Sequence, residues 1–277
     1  MSRIEKAIEI ATRKRNKAEP AIPPPISSPV EPEGVGQGVR PSSPEVTIQY
    51  NNPYLITANQ QNSPASEQYR KLKSLIVKLS QMGELDRAMM VTSPIAGEGK
   101  TLTSLNLAIT MAQEFDHTVL LIEADVRKPS VLKYLGLESQ AGLTDCVLDG
   151  LDVSEVLIKT GIGSLSILPS GRKVANPVEL FSSNRMDAIM NEIKQRYQDR
   201  YIIVDTTPLL PFAEPQYIAN LVGAVLLVVR EGLTTPEKLK RSLEILKNNN
   251  LLGIVSNGVS RVNSLQGYYG YYGYNQD

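Results

Sequence analysis

An α/β fold built on a doubly wound, mostly parallel sheet is predicted from two features of the sequence. Short β-rich apolar runs alternate with helical stretches along most of the chain, and the most apolar of these runs end in a glycine-rich turn or in acids. The expected strands are 88–92, 119–124, 165–168, 201–205, 224–229 and 252–256, with helical periodicity filling 101–115, 185–197 and 236–249. Strands separated by helices at this rhythm form βαβ units, whose crossovers set successive strands parallel. Ligands of such sheets sit at the carboxyl ends of the strands, so the loops there carry the functional information.

The elements follow in order. Residues 1–17 carry the capping spacing Ser2/Glu5 and an apolar stripe of Ile4, Ala7, Ile8 and Ala11, which predicts a short amphipathic helix. Arg3, Lys6, Arg13, Lys14, Arg15 and Lys17 make it basic. Such a helix docks on a partner or an anionic membrane surface, or else stays a frayed solvated terminus. Residues 18–62 are rich in proline and glycine, including Pro23, Pro24 and Pro25 in succession. They hold too little apolar material to offset chain entropy, so a disordered linker is expected. Order resumes at Ser63-Pro64, an N-cap followed by a proline suited to a first helical turn. Tyr69, Leu72, Leu75, Ile76 and Leu79 line one face of that helix and Gly83 ends it. The folded domain is expected over 63–262, followed by a flexible tail, 263–277.

Bulk composition closes several functional classes. With 42% hydrophobic and 21% charged residues in 277, the chain suits one soluble α/β domain with appendages. Lys+Arg and Asp+Glu both number 29, so no bulk attraction to nucleic acid is expected. Cys146 stands alone, which excludes an internal disulfide framework and suits a reducing cytoplasm. His117 is the single histidine and leaves little from which to build a zinc site. The longest apolar run, 224–229, is far too short to cross a bilayer, and the charged N-terminus has no signal-peptide pattern.

The first strand runs into Thr92-Ser93-Pro94-Ile95-Ala96-Gly97-Glu98-Gly99-Lys100-Thr101, and a helix follows at once. A phosphate-binding loop needs glycines where backbone wraps phosphate, a lysine for the β/γ oxygens and a hydroxyl for Mg²⁺. Gly97, Gly99, Lys100 and Thr101 supply these, and the helix N-terminus adds its dipole. Pro94 stands where the strict pattern has glycine, but the strand–loop–helix context is the required one. Two later strands end in acids. In 119–125 alternation places Glu123 and Asp125 on one face, toward the phosphate loop. In 201–205 the strand ends in Asp205, a position suited to the water shell of Mg²⁺.

Together TSPIAGEGKT, LLIEADVRKP and YIIVDTTP resemble the Walker A, A′ and B elements of the bacterial tyrosine kinases, within the partition-ATPase-like class of P-loop NTPases. The segment LPSGRKVANPVELFSS, residues 168–183, resembles the family as well, and the opening MSRIEKAIE resembles the autokinases of exopolysaccharide and exosortase loci. The resemblance implies a cradle for ATP made by Gly97, Glu98, Gly99, Lys100, Thr101 and Leu102, with Asn257 as the base contact. It implies Mg²⁺ held by Thr101, Glu123 and Asp205, and catalysis by Lys100, Asp125, Glu123 and Asp205. Glu123 stands where the family has aspartate, which predicts reduced or altered activity. Glu67, Arg70 and Lys73 resemble the ring-forming E-x-x-R-x-x-R helix, with lysine in the last place; lysine lacks the bidentate fork of arginine. Further implications are a membrane activator of the chain-length-determinant type, a cognate tyrosine phosphatase, a homo-oligomer and a cytoplasmic location held at the inner membrane through the partner.

Tyr268, Tyr269, Tyr271, Tyr272 and Tyr274 place five of the 12 tyrosines in seven residues, separated by Gly270 and Gly273. Without a periodic core face the segment should be flexible, which suits a phosphoacceptor entering a neighbour's site. Each phosphotyrosine adds nearly two negative charges, a route to dissolving an oligomer. The function expected is tyrosine autophosphorylation of this tail in control of exopolysaccharide synthesis or export. Two alternatives are a partition-type ATPase switch and a nucleotide-binding scaffold. The switch class carries an additional lysine early in the loop, where this chain has Ile95 and Ala96.

Overall fold

The computed structural model describes residues 52–113, 117–138, 140–196 and 200–259. The chain divides after Pro41, and every described residue belongs to the second unit, Ser42–Asp277. The expected basic helix, the proline-rich stretch as far as residue 51 and the tyrosine tail lie outside the described residues.

The strands are β1 (Ala88–Thr92), β2 (Thr118–Glu123), β3 (Ile158–Lys159), β4 (Leu165–Leu168), β5 (Arg200–Asp205), β6 (Ala224–Arg230) and β7 (Leu251–Asn257). They form one sheet in the order β3-β4-β2-β5-β1-β6-β7. Every pairing is parallel except β3 with β4. The helices are α1 (Ile56–Asn59), α2 (Pro64–Gln81), α3 (Lys100–Ala112), α4 (Val131–Tyr134), α5 (Leu143–Asp149), α6 (Val153–Val156), α7 (Pro177–Phe181), α8 (Asn184–Arg196), α9 (Glu214–Leu221) and α10 (Pro236–Ile245).

The central strands read as unbroken apolar runs because both faces of the sheet are covered. Met89, Val91, Val119 and Leu121 enter one core, with Leu105 and Ile109 of α3. Ala88, Met90, Leu120 and Ile122 enter the other, with Ile189 and Ile193 of α8. Burying each such side chain contributes about 2 kcal/mol, and the alternation fixes strand register because a one-residue slip would exchange the two faces. α2 starts where expected: Ser63 Oγ accepts the Ser66 amide at 3.2 Å, and Pro64 occupies the first turn.

Three features depart from the expected pattern. Order begins ahead of Ser63, because Leu55 is fully buried and the Thr57 amide donates to Asn106 Oδ1 at 3.0 Å. Asn106 Nδ2 in turn donates to the Tyr54 carbonyl at 3.0 Å, so the end of the proposed linker docks on α3. β3 is a two-residue antiparallel edge strand, too short to show alternation. The helices α1 and α4–α7 span four to seven residues each, at most about two turns, which leaves little helical period to detect.

Candidate nucleotide and phosphoryl-transfer site

β5 lies between β2 and β1, so the three strands that end in functional residues deliver them side by side. Glu123 pairs with Asp205 in register, and Val91 pairs with the same aspartate from the other side. The turn after β1 then wraps into α3. Gly97 and Gly99 take positive φ, 84° and 94°, a region that L side chains avoid. Gly99 is the N-cap of α3 and no side chain caps that helix, so its first amides are available to phosphate oxygens.

Lys100 Nζ lies 2.7 Å from Asp125 Oδ2 and 3.9 Å from Asp205 Oδ2. Burial pushes its ammonium down, but the charges of Asp205 and Asp125 outweigh burial and hold it above the ordinary lysine value. Thr101 Oγ1 donates to Asp205 Oδ2 at 2.7 Å, and Ser104 Oγ to Asp205 Oδ1 at 3.1 Å. Burial lifts the fully buried Asp205 carboxyl above its usual range, and Lys100 and Thr101 pull it back only in part. Asp125 Oδ1 accepts the Lys128 amide at 3.0 Å, closing a tight turn around Val126 and Arg127.

Glu123 is placed differently from Asp125. Its Oε1 accepts the amides of Ser130 and Val131, at 2.5 and 2.6 Å, at the start of α4. Burial raises its carboxyl and these amides lower it, with a net upward shift. Its charge still acts on Lys100 and feels Asp205. The extra methylene of Glu123 thus spans to a helix start, while Asp125 alone of the two A′ acids meets the lysine.

The outer edge of the phosphate loop is tied to the far strands. Glu98, fully buried, accepts the Ile95 amide at 2.9 Å and the Thr234 hydroxyl. Asn257 Nδ2 donates to the Glu98 carbonyl at 2.8 Å, and Arg230 Nη1 to the Gly97 carbonyl at 3.2 Å. A Cβ on Gly99 would lie 2.0 Å from Asn257 Nδ2. Gly99→Ala should therefore combine a clash with about 1–3 kcal/mol of backbone strain. The expected outcome is a nucleotide Kd raised about tenfold, measured by calorimetry with ADP; an affinity within about twofold of wild type refutes it. Leu102 follows Thr101 within the first turn of α3. Glu67 and Arg70 form an exposed pair at 2.5 Å on α2, and Arg70 also donates to the Gln61 carbonyl. Lys73 lies on the same helix.

Sequence reasoning missed Ser104, Thr207, Thr234 and Glu214. Ser104 lies one turn beyond Lys100, a spacing that could have been read from the helix period. Thr207 Oγ1 is buried with no hydrogen-bond partner among the described residues. Thr234 meets Glu98 across 136 residues of chain and Glu214 meets Arg127 across 87, and no local signal marks Thr234 or Glu214.

Comparison with known proteins bears on this arrangement. Residues 87–229, more than half of the chain, match the family described as AAA domain, and the match runs from β1 to β6. Tyrosine-protein kinase YwqD of Bacillus subtilis is 35% identical over 78% of this chain and 90% of its own length. The chain belongs to the bacterial tyrosine-protein kinase family. Putative tyrosine-protein kinase CapB of Staphylococcus aureus is 28% identical over 78% of this chain and 93% of its own. The solved kinase domain of Escherichia coli tyrosine kinase ETK superposes with a TM-score of 0.70 at 28% identity, covering 78% of this chain and 84% of that one. The protein is a tyrosine-protein kinase on a P-loop fold. Among the described residues no helix of this kinase is long and apolar enough to cross a membrane.

Proposed function

We propose that this kinase transfers the γ-phosphoryl group of ATP to Tyr268, Tyr269, Tyr271, Tyr272 and Tyr274 of its own C-terminal tail, in control of exopolysaccharide synthesis or export. The observation that carries the transfer chemistry is the Lys100 ammonium held 2.7 Å from Asp125 at the mouth of a glycine-rich loop. In the tail, five tyrosines with glycines between them supply the acceptor.

Lys100 turns from Asp125 to the β/γ oxygens when nucleotide enters, which leaves Asp125 Oδ2 with an unfilled lone pair beside the reacting oxygen. An ordinary phenol has a pKa of about 10, so its proton needs an acceptor as the bond forms. Asp125 takes that proton while the phenolic oxygen bonds to the γ-phosphorus, the bond to the β,γ-bridging oxygen breaks and ADP leaves. The amides of the Gly97–Thr101 turn and Lys100 hold the charge that spreads over the phosphoryl oxygens.

The residues present fit Mg²⁺. Among the described residues no group of three His, Cys, Asp or Glu could cage a metal. Mg²⁺ keeps several waters and takes one or two protein oxygens plus phosphates. Thr101 and Asp205 would hold the ion with Glu123, which pairs with Asp205 in register, and the Thr207 hydroxyl, two residues beyond Asp205, is buried without a partner among the described residues. When bound, the ion neutralises charge on the phosphates. Asn257 as the base contact, a ring assembled through Glu67, Arg70 and Lys73, a membrane activator of the chain-length-determinant type and a cognate phosphatase rest on the family resemblance. Attachment to the inner membrane through that activator belongs to the same reading. Phosphorylation of the tail would then load it with charge and separate the subunits.

The test is mass spectrometry of the full chain after incubation with ATP and Mg²⁺, beside a chain with all five tail tyrosines changed to phenylalanine. Phosphotyrosine confined to the tail, and lost in the variant, is the expected result. A wild-type chain that phosphorylates an added tyrosine peptide but leaves its own tail unmarked overturns the proposal.

A further inference from the structure

The turn after β2 and the loop after β5 face each other at the rim of the phosphate site. Arg127 is displayed by the turn that Asp125 closes, and Asp125 is the acid that meets Lys100. Two residues of chain reach at most about 7 Å, so the backbone of Arg127 lies within that distance of the backbone of Asp125. From the other side, the Leu209 and Leu210 amides donate to the carbonyls of Ser93 and Pro94, at 2.8 and 3.1 Å. This pins the start of the loop that carries Phe212 onto the phosphate loop.

The two loops meet where Arg127 reaches Phe212. The Arg127 guanidinium lies 4.5 Å from the centroid of the Phe212 ring. Its Nε and Nη2 both reach a single oxygen, Glu214 Oε1, at 2.8 and 2.6 Å. Glu214 is fully buried and its other oxygen has no hydrogen-bond partner among the described residues. The acid is therefore committed to orienting this arginine. The arginine side chain nevertheless stays 38% exposed, and Phe212 is half-buried. A cation–aromatic pair built only to brace two loops would gain most by being covered; this one is left partly open, on the turn that Asp125 closes.

We infer that Arg127 and Phe212 form the acceptor platform of the kinase, holding the ring of the tyrosine to be phosphorylated so that its hydroxyl meets Asp125. A planar guanidinium and an aromatic ring attract another aromatic ring by cation–π and edge contacts, together about 0.5–2 kcal/mol. Serine and threonine offer no ring to either group, so the platform selects tyrosine. Glu214 acts through Arg127 and is a positioning residue. The inference depends on the kinase assignment and is independent of which tyrosine is the natural acceptor.

The probe is a peptide of residues 267–277, titrated with a non-hydrolysable ATP analogue present. The host is the full chain carrying Tyr→Ser at the five tail positions, which removes competing rings. Phe212→Ala is expected to weaken peptide binding about 5- to 30-fold while analogue affinity stays unchanged; Phe212→Tyr should restore it. Arg127→Lys keeps the charge but loses the planar face and should weaken the peptide likewise. Arg127→Ala leaves a buried carboxylate unpaired and tests mainly folding, so the double variant Arg127→Gln/Glu214→Gln serves instead. Peptide binding unchanged in Phe212→Ala and Arg127→Lys overturns the platform, as does a wild-type platform that binds the tyrosine peptide no better than its Tyr→Ser counterpart. If the platform holds while the native tail is never phosphorylated, only the tail proposal fails.

Discussion

Lys100→Met is expected to abolish tyrosine phosphorylation, with a fall of about 10³-fold or more, the scale on which a cation aimed at the transferring phosphoryl group acts. The ammonium is the only cation in contact with both Asp125 and Asp205 among the described residues, and all three groups are largely buried. Removing it deletes the phosphate anchor and leaves two acids facing each other without a counter-charge, at a cost of about 3 kcal/mol. That loss has a pH signature. Burial already lifts Asp205 and Lys100 is the principal group pulling it down, so the variant's Asp205 moves higher still. A carboxyl raised on folding stabilises below its unfolded value, about 3.9, and that contribution is lost as pH climbs through the folded value. The Tm gap between wild type and Lys100→Met should therefore widen from about pH 4 toward neutrality. A gap independent of pH, or phosphotyrosine in the tail of the variant by mass spectrometry, refutes the assignment.

Asp205→Asn is expected to separate function from stability. Two hydroxyls, from Thr101 and Ser104, donate into the carboxylate, and an amide offers one acceptor oxygen in place of two. The variant also removes a negative charge from a fully buried position where burial disfavours it. Transfer should fall about 10²-fold or more because the oxygen suited to hold Mg²⁺ or its water is gone. Stability should hold or rise, since a charge that is costly to bury has been deleted. The checks are single-turnover phosphorylation and thermal melting on the same preparation. A rate within about tenfold of wild type means that Asp205 does not serve the metal.

The β1 strand, the glycine-rich turn and the start of α3 were legible because each rests on local chemistry: a continuous apolar run, positive-φ glycines and a helix that follows at once. The acids at 123, 125 and 205 were legible as strand ends. Their division of labour was not, because the choice between meeting Lys100 and capping α4 turns on one methylene and on where Ser130 returns. β3 escaped detection because two residues carry no period. Leu55 and Thr57 sit in a proline-rich context, and only the Asn106 side chain, 49 residues away from Thr57, shows why they are ordered.

By itself the sequence determined that a parallel sheet presents a phosphate loop with hydroxyl and lysine, that acids end two other strands, and that a tyrosine-rich tail follows. Those are properties of residues within a few positions of one another. Only the tertiary structure decided that β5 lies between β1 and β2, which brings Asp205 to Thr101 and Asp125 to Lys100. It also decided that Arg127 and Phe212 stack at the rim, across 85 positions of chain. Strand order and loop-to-loop contact are set by how whole elements share two cores, and no local pattern of residues encodes them.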